Sequence, residues 1–182
     1  MSGPQGTAGF DLQPLLVGPG LTLRPLRPTD LEPLWQVSKD PLIWAQHPEP
    51  SRAERAGFER FFERALASGG ALAVVDNADN GVIGSSRFYD WDPQAREVAI
   101  GYTFLARRYW GGAANREMKR LMIDHALRYA DLVWFHVACS NLRSRRAMEK
   151  IGARLSHTGP RPVNGEPIDF CYYRIDRGSW QR

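Results

Sequence analysis

The sequence predicts an α+β domain with elements in the order β-αα-βββ-α-β-α-ββ. Three observations support it. Strand-like runs, alternating in part and rich in β-branched and aromatic residues, cover 21–26, 71–75, 82–89, 97–104, 133–139, 154–157 and 169–175. Other segments carry apolar residues at helical spacing. Asn80-Gly81, a strong hairpin signal, joins two of the strand runs directly.

The first strand, 21–26, stops at Arg27-Pro28. Thr29-Asp30-Leu31-Glu32 has the capping-box pattern, in which the hydroxyl takes an orphan N–H and the carboxylate reaches back, so a helix is expected to about Lys39. Residues 41–50 read as a proline-bounded loop carrying Trp44 and His47. Ser51-Arg52-Ala53-Glu54 repeats the capping pattern and opens a helix with Phe58, Phe61, Phe62 and Leu66 on one side, closing at Gly69-Gly70. Strands 71–75 and 82–89 form the Asn-Gly hairpin, and 97–104 continues the meander after a turn near Asp92-Pro93. A long helix then runs to about Ala130. Its apolar stripe passes through Met118, Leu121, Met122, Ala126 and Tyr129, leaving Arg116, Lys119, Arg120 and Asp124 to other faces. Residues 133–139 form a strand and 141–151 a short helix ended by Gly152; strands 154–157 and 169–175 flank a turn-rich segment, 159–165. Residues 1–20 read as a tail and lead-in with the first ten loose, 21–177 as a single domain, and 178–182 as a second tail.

Composition narrows the classes. At 182 residues the chain can bury a core without staples, and no apolar run approaches the ~20 residues that cross a bilayer. The first twenty residues lack a positive segment followed by an apolar one, so they do not read as a signal peptide. Cys139 and Cys171 lie in strand-like runs and read as small, reduced, buried hydrophobes, from which a cytoplasmic setting follows as the expectation. His47, His125, His136 and His157 have no metal-ligand spacing, so no metal is expected. The basic pI of about 9.3 does not make a nucleic-acid binder, because no finger, helix-turn-helix or RNA-binding signature accompanies it.

Two places carry chemistry. The first is Arg108-Tyr109-Trp110-Gly111-Gly112-Ala113, which feeds the long helix from a strand. Unpaired N–H groups and the positive end of the helix dipole favour an anion there. Arg107, Arg108, Arg116, Lys119 and Arg120 stand against Glu117 alone in this stretch, and that excess equals the +4 of the whole chain. The loop lacks the spacing of a nucleoside triphosphate or dinucleotide site. The second is Asn141-Leu142-Arg143-Ser144, entering a helix straight from a strand with Asn141 as N-cap and Ser144 at N3.

Together these motifs resemble the GNAT superfamily of N-acetyltransferases. The family's Arg/Gln-x-x-Gly-x-Gly/Ala loop is matched by Arg108 to Ala113. The order Ile100-Gly101-Tyr102, Tyr109-Trp110-Gly111, Asn141-x-x-Ser144 is similar to the branch of ribosomal-protein N-terminal acetyltransferases. The resemblance covers about 21–175 and implies a three-layer fold, with a mixed, mostly antiparallel sheet of about six to seven strands and helices on both faces.

It also implies acetyl-coenzyme A as co-substrate and a primary amine, on a protein N-terminus or a small molecule, as acceptor. Pantetheine would lie along Tyr102, Thr103 and Phe104. The pyrophosphate would rest on the amides of Gly111, Gly112, Ala113 and Ala114, with Arg108 as charge partner and Asn115 and Arg116 beside it. Asn141 would contact the pantetheine arm and Ser144 the thioester sulfur. Glu97 is the candidate base and Ser144 the candidate acid; Trp44, His47, Arg87, Tyr89 and Tyr102 would line the acceptor pocket. Two departures stand out. Ala99 occupies the place before Ile-Gly-Tyr where this branch commonly has a carboxylate, and Met148 the place where other branches have an acid tyrosine. A non-catalytic coenzyme A sensor on the same fold is the alternative, and the oligomeric state stays open between monomer and homodimer.

Overall fold

The computed structural model describes residues 9–180. Eight strands form one sheet in the order β1-β2-β3-β4-β5-β6-β8-β7. They are β1 (Leu16–Val17), β2 (Leu21–Pro25), β3 (Ala71–Asp76), β4 (Val82–Asp92), β5 (Glu97–Leu105), β6 (Leu132–Ala138), β7 (Arg154–Val163) and β8 (Glu166–Asp176). The helices are α1 (Leu31–Ser38), α2 (Pro41–Trp44), α3 (Arg55–Ala67), α4 (Ala113–Ala126) and α5 (Leu142–Lys150). All strand pairs are antiparallel except β5 with β6. The mixed, mostly antiparallel sheet is the expected one, with the two-residue β1 as an extra strand. No helix among the described residues is long and apolar enough to cross a membrane.

The two-sided core follows from the period of two along β3. Leu72 and Val74 join Met118, Met122 and Ile123 of α4, whereas Ala71 and Ala73 join Ile43 and Trp44 of α2 and Phe58, Phe61 and Phe62 of α3. Each fully buried phenylalanine contributes about 1.5–3 kcal/mol relative to exposure, so helices are held on both faces. A carboxylate fastens α4 to the start of β2: Glu117 Oε1 accepts from the N–H groups of Gly20 at 2.8 Å and Leu21 at 3.0 Å. A Cβ at Gly18 would lie 2.3 Å from that oxygen, so a larger residue there would have to displace the Glu117 carboxylate.

Several local expectations are corrected. Neither capping box forms, because Pro28 and Pro50 start 3-10 turns that take Thr29 and Ser51 inside them. Asp30 accepts from the Arg27 N–H at 2.8 Å instead, and Glu32 accepts from Gln36 and Arg55. The loop expected at 41–50 contains α2, whose N-cap Asp40 accepts from the Leu42 N–H at 3.1 Å. The segment 159–165 belongs largely to β7, where Pro160 and Pro162 are tolerated because β7 is an edge strand. Phe10 is not part of a loose tail: it is buried edge-on against Phe88, with centroids 5.3 Å apart. Of the tails expected at 1–20 and 178–182, residues 1–8 and 181–182 lie outside the described residues, and Trp180 is tied down, donating from Nε1 to Asp124 at 2.7 Å. Cys139 and Cys171 are not reduced; they form a disulfide across the β6–β8 end, where their Cα atoms are 5.2 Å apart.

One feature of the sheet positions the site. β5 and β6 pair through only three positions, Glu97 with Leu132, Val98 with Val133 and Ala99 with Trp134. Beyond them β5 bends: its register with β4 shifts between Ser85 and Arg87, opposite which Tyr102 takes φ +53°. A tyrosine in that left-handed region costs on the order of 1–3 kcal/mol, so the surrounding sheet must hold it there. The two strands therefore diverge from Ile100 onward.

Candidate active site

The divergence opens a cleft of about 580 Å³. Tyr102, Thr103 and Phe104 line one wall and Phe135 and His136 the other. Gly111, Gly112, Asn115 and Arg116, at the start of α4, line one end, and Asn141 and Ser144 the α5 side. Trp44 and His47 face it from α2 and the turn after it. Eleven residues expected at the site from sequence thus meet in one place.

The two helix starts differ. Gly112 is the N-cap of α4 and supplies no side-chain cap, so the first-turn N–H groups point at the cleft without a side-chain acceptor. Gly111 makes the turn into it with φ +71°, a conformation that β-branched residues avoid. At α5, Asn141 is buried and its Oδ1 accepts from the Ser144 N–H at 3.1 Å. Arg143 bridges the cleft mouth, donating to the Ile43 carbonyl at 2.7 Å and stacking over Trp110 at 4.0 Å.

Other expected residues lie apart. Glu97 does not line the cleft; it sits at the closed end of β5, where its Oε2 accepts from Trp134 Nε1 at 2.9 Å. Arg108 faces away, donating to the Tyr109 hydroxyl at 3.1 Å, and that hydroxyl donates to Asp76. The side chains of Ala113 and Ala114 do not line it either. Arg87 and Tyr89 lie one layer back: Arg87 packs its guanidinium 4.1 Å over Tyr102, and Tyr89 Oη is 2.9 Å from His136 Nδ1.

Charge defines the chemistry. No carboxylate lines the cleft among the described residues, whereas Arg52, Arg116, Lys119, Arg143, Arg146 and Lys150 all do. Such a lining suits a polyanion. Its histidines are weak bases: burial and the adjacent Arg52 push His47 down to about 3, and burial with Arg161 pushes His136 down to about 4. His47 Nδ1 accepts from the Glu49 N–H at 2.9 Å.

Lys119 is the residue that sequence reading misplaced. It is 3% exposed and points into the cleft beneath β5, with Nζ donating to Thr103 Oγ1 at 2.8 Å. Desolvation pushes its amine down to about 7. Its spacing to Met122, Ile123 and Ala126 put it on the buried stripe; only its charge argued otherwise.

The acetyltransferase (GNAT) domain family matches residues 20–154. No curated protein matches the chain. Among solved structures, it is similar to a GCN5-related N-acetyltransferase from Brucella melitensis, with 22% identity, TM-score 0.83, and coverage of 92% of this chain and 80% of the other. The GNAT-family acetyltransferase from Bacillus anthracis gives 18% identity and TM-score 0.75, covering 91% and 99%. The spermidine N-acetyltransferase from Vibrio cholerae, solved with CoA and spermine, gives 18% and 0.68, covering 88% and 98%. With the strand divergence, the uncapped glycine turn and the family match over most of its length, this chain belongs to the GNAT acetyltransferase family.

Proposed function

We propose that the protein transfers the acetyl group of acetyl-coenzyme A to a primary amine by direct attack. The observation that carries this is the meeting of two features in one cleft: a strand edge left unpaired by the β5–β6 divergence, and an α4 N-terminus free of any side-chain cap. The exposed β5 edge at Tyr102, Thr103 and Phe104 suits the amides of pantetheine as an added strand would. The amides at Gly111 to Ala114 suit the pyrophosphate, with Arg116 as the charge partner in place of Arg108. Asn141 and Ser144 serve the arm and the sulfur.

In this reading the acceptor nitrogen attacks the thioester carbon, a β5 backbone N–H near Thr103 or Phe104 holds the oxyanion, and the thiolate departs. An α-amino acceptor of pKa about 7.7–8.0 reaches its neutral form near pH 7.5 for about 0.3–0.7 kcal/mol, against roughly 4 kcal/mol for a lysine side chain. The order of the Ile-Gly-Tyr, Tyr-Trp-Gly and Asn-x-x-Ser motifs supports the ribosomal-protein N-terminal branch, and so an α-amino acceptor. The spermidine enzyme from Vibrio cholerae makes a polyamine the other acceptor to test.

A binding module without turnover has one observation in its favour, the carboxylate-free lining. Incubation with acetyl-coenzyme A and a panel of N-terminal peptides, polyamines and small amines, read by mass shift, separates the two. Acetylated product is expected; coenzyme A binding by calorimetry with no acetylated product overturns the enzyme reading.

A further inference from the structure

We infer that Lys119 is the acid–base group of this cleft, its neutral amine taking a proton from the attacking nitrogen and returning it to the departing sulfur. The inference rests on the acetyl-transfer reading above. Its observation is a buried amine with no acid beside it among the described residues. Lys119 Nζ lies under the β5 segment offered to the donor, hydrogen-bonded to Thr103 Oγ1, which is itself 2.8 Å from Ser86 Oγ. Phe135 of β6 closes the other side, its ring centroid 5.5 Å from Nζ. A methionine, as at Met118 and Met122 on the same helix, would fill the path without the desolvation cost of a buried ammonium, so packing alone does not call for lysine here.

The surrounding groups support the same role. Arg116 lies on α4 itself, and α5 contributes Arg143, Arg146 and Lys150. β5 contributes Tyr102, β6 contributes His136, and the segment after α2 contributes His47 and Arg52. None is a carboxylate that would hold Lys119 charged, and burial alone sets its acidity near neutrality. His47 and His136 are too weakly basic for this task near pH 7, Glu97 is outside the cleft, and the Ser144 hydroxyl is a poor base.

The step balances. The neutral acceptor nitrogen forms a bond to the thioester carbon and becomes cationic as the carbonyl oxygen becomes anionic. Nζ takes the nitrogen's proton; collapse of the oxyanion breaks the C–S bond, and the ammonium of Lys119 protonates the thiolate. Amide and thiol leave, and Lys119 is neutral again.

The test uses the full chain, saturating acetyl-coenzyme A and the best acceptor from the panel, across pH 5.5–9. Besides the limb at the acceptor's own pKa, about 7.7–8.0 for an α-amine, wild-type kcat is expected to show a limb rising with pH through about 7, where the Lys119 amine loses its proton. Lys119→Met should lower kcat roughly 10²–10⁴-fold and remove that limb while coenzyme A still binds by calorimetry. Lys119→Arg, always protonated, should not rescue it. If the methionine variant does not fold, Thr103→Val decides: losing the acceptor of the Nζ hydrogen bond should move the limb to lower pH. A kcat for Lys119→Met within roughly threefold of wild type overturns the inference alone. So does an unmoved limb in Thr103→Val, or acetylation of Lys119 itself in wild type. A wild type that acetylates no amine overturns the function and the inference together.

Discussion

The starts of α4 and α5 flank the same cleft and are built oppositely. α4 begins at Gly112 with no side-chain cap, after Gly111 at positive φ. α5 begins at buried Asn141, whose side chain takes the Ser144 N–H, and two residues earlier Cys139 is bonded to Cys171 of β8. Arg143 adds ties to the carbonyls of Leu42 and Ile43. In the proposed reading one helix end keeps its N–H donors for the pyrophosphate, while the other spends the Ser144 N–H on its own fold and fixes the wall from which Asn141 and Ser144 would serve the arm and the sulfur. On that reading, anion binding and positional rigidity are divided between two turns.

Breaking the fixed wall should cost the most stability. Replacing Cys139 and Cys171 together by alanine removes a link across 32 positions, worth about 3–4 kcal/mol in the chain-entropy account, so Tm by calorimetry should fall by roughly 10 °C. Gly111→Val attacks the open end. Forcing a β-branched residue to φ +71° costs about 1–3 kcal/mol and distorts the amide cradle, so coenzyme A affinity by calorimetry should drop at least tenfold while Tm changes less. Arg116→Glu, at the same end, should weaken coenzyme A binding by on the order of tenfold, with an effect that shrinks as salt is raised. Asn141→Ala is the mildest: loss of one cap costs about 1 kcal/mol and lowers Tm by about 2–4 °C. If Asn141→Ala instead weakens coenzyme A binding more than Gly111→Val does, the division of labour is reversed.

What sequence reading captured here is what neighbours along the chain decide. Asn141 and Ser144 are three residues apart and cap as expected, and Asn80 takes φ +58° in the hairpin its Asn-Gly pair announces. The helical Phe58, Phe61 and Phe62 pack together because their spacing is intrinsic to the helix. Features set by distant partners were hidden. The Tyr102 bend exists only against β4, the disulfide only once β8 lies beside β6, and the direction of Arg108 only once Tyr109 meets Asp76. Lys119 is the intermediate case. It is expected on an outer face, yet its spacing to Met122, Ile123 and Ala126 sets it on the buried side, a place lysines seldom take.

The sheet's two outer margins bear on how copies of this chain meet. On one side β1 offers only two residues for pairing; on the other, Pro160 and Pro162 remove two N–H donors from β7. Neither margin can template a long intermolecular ladder, so the sheet is guarded against growing strand by strand into an aggregate.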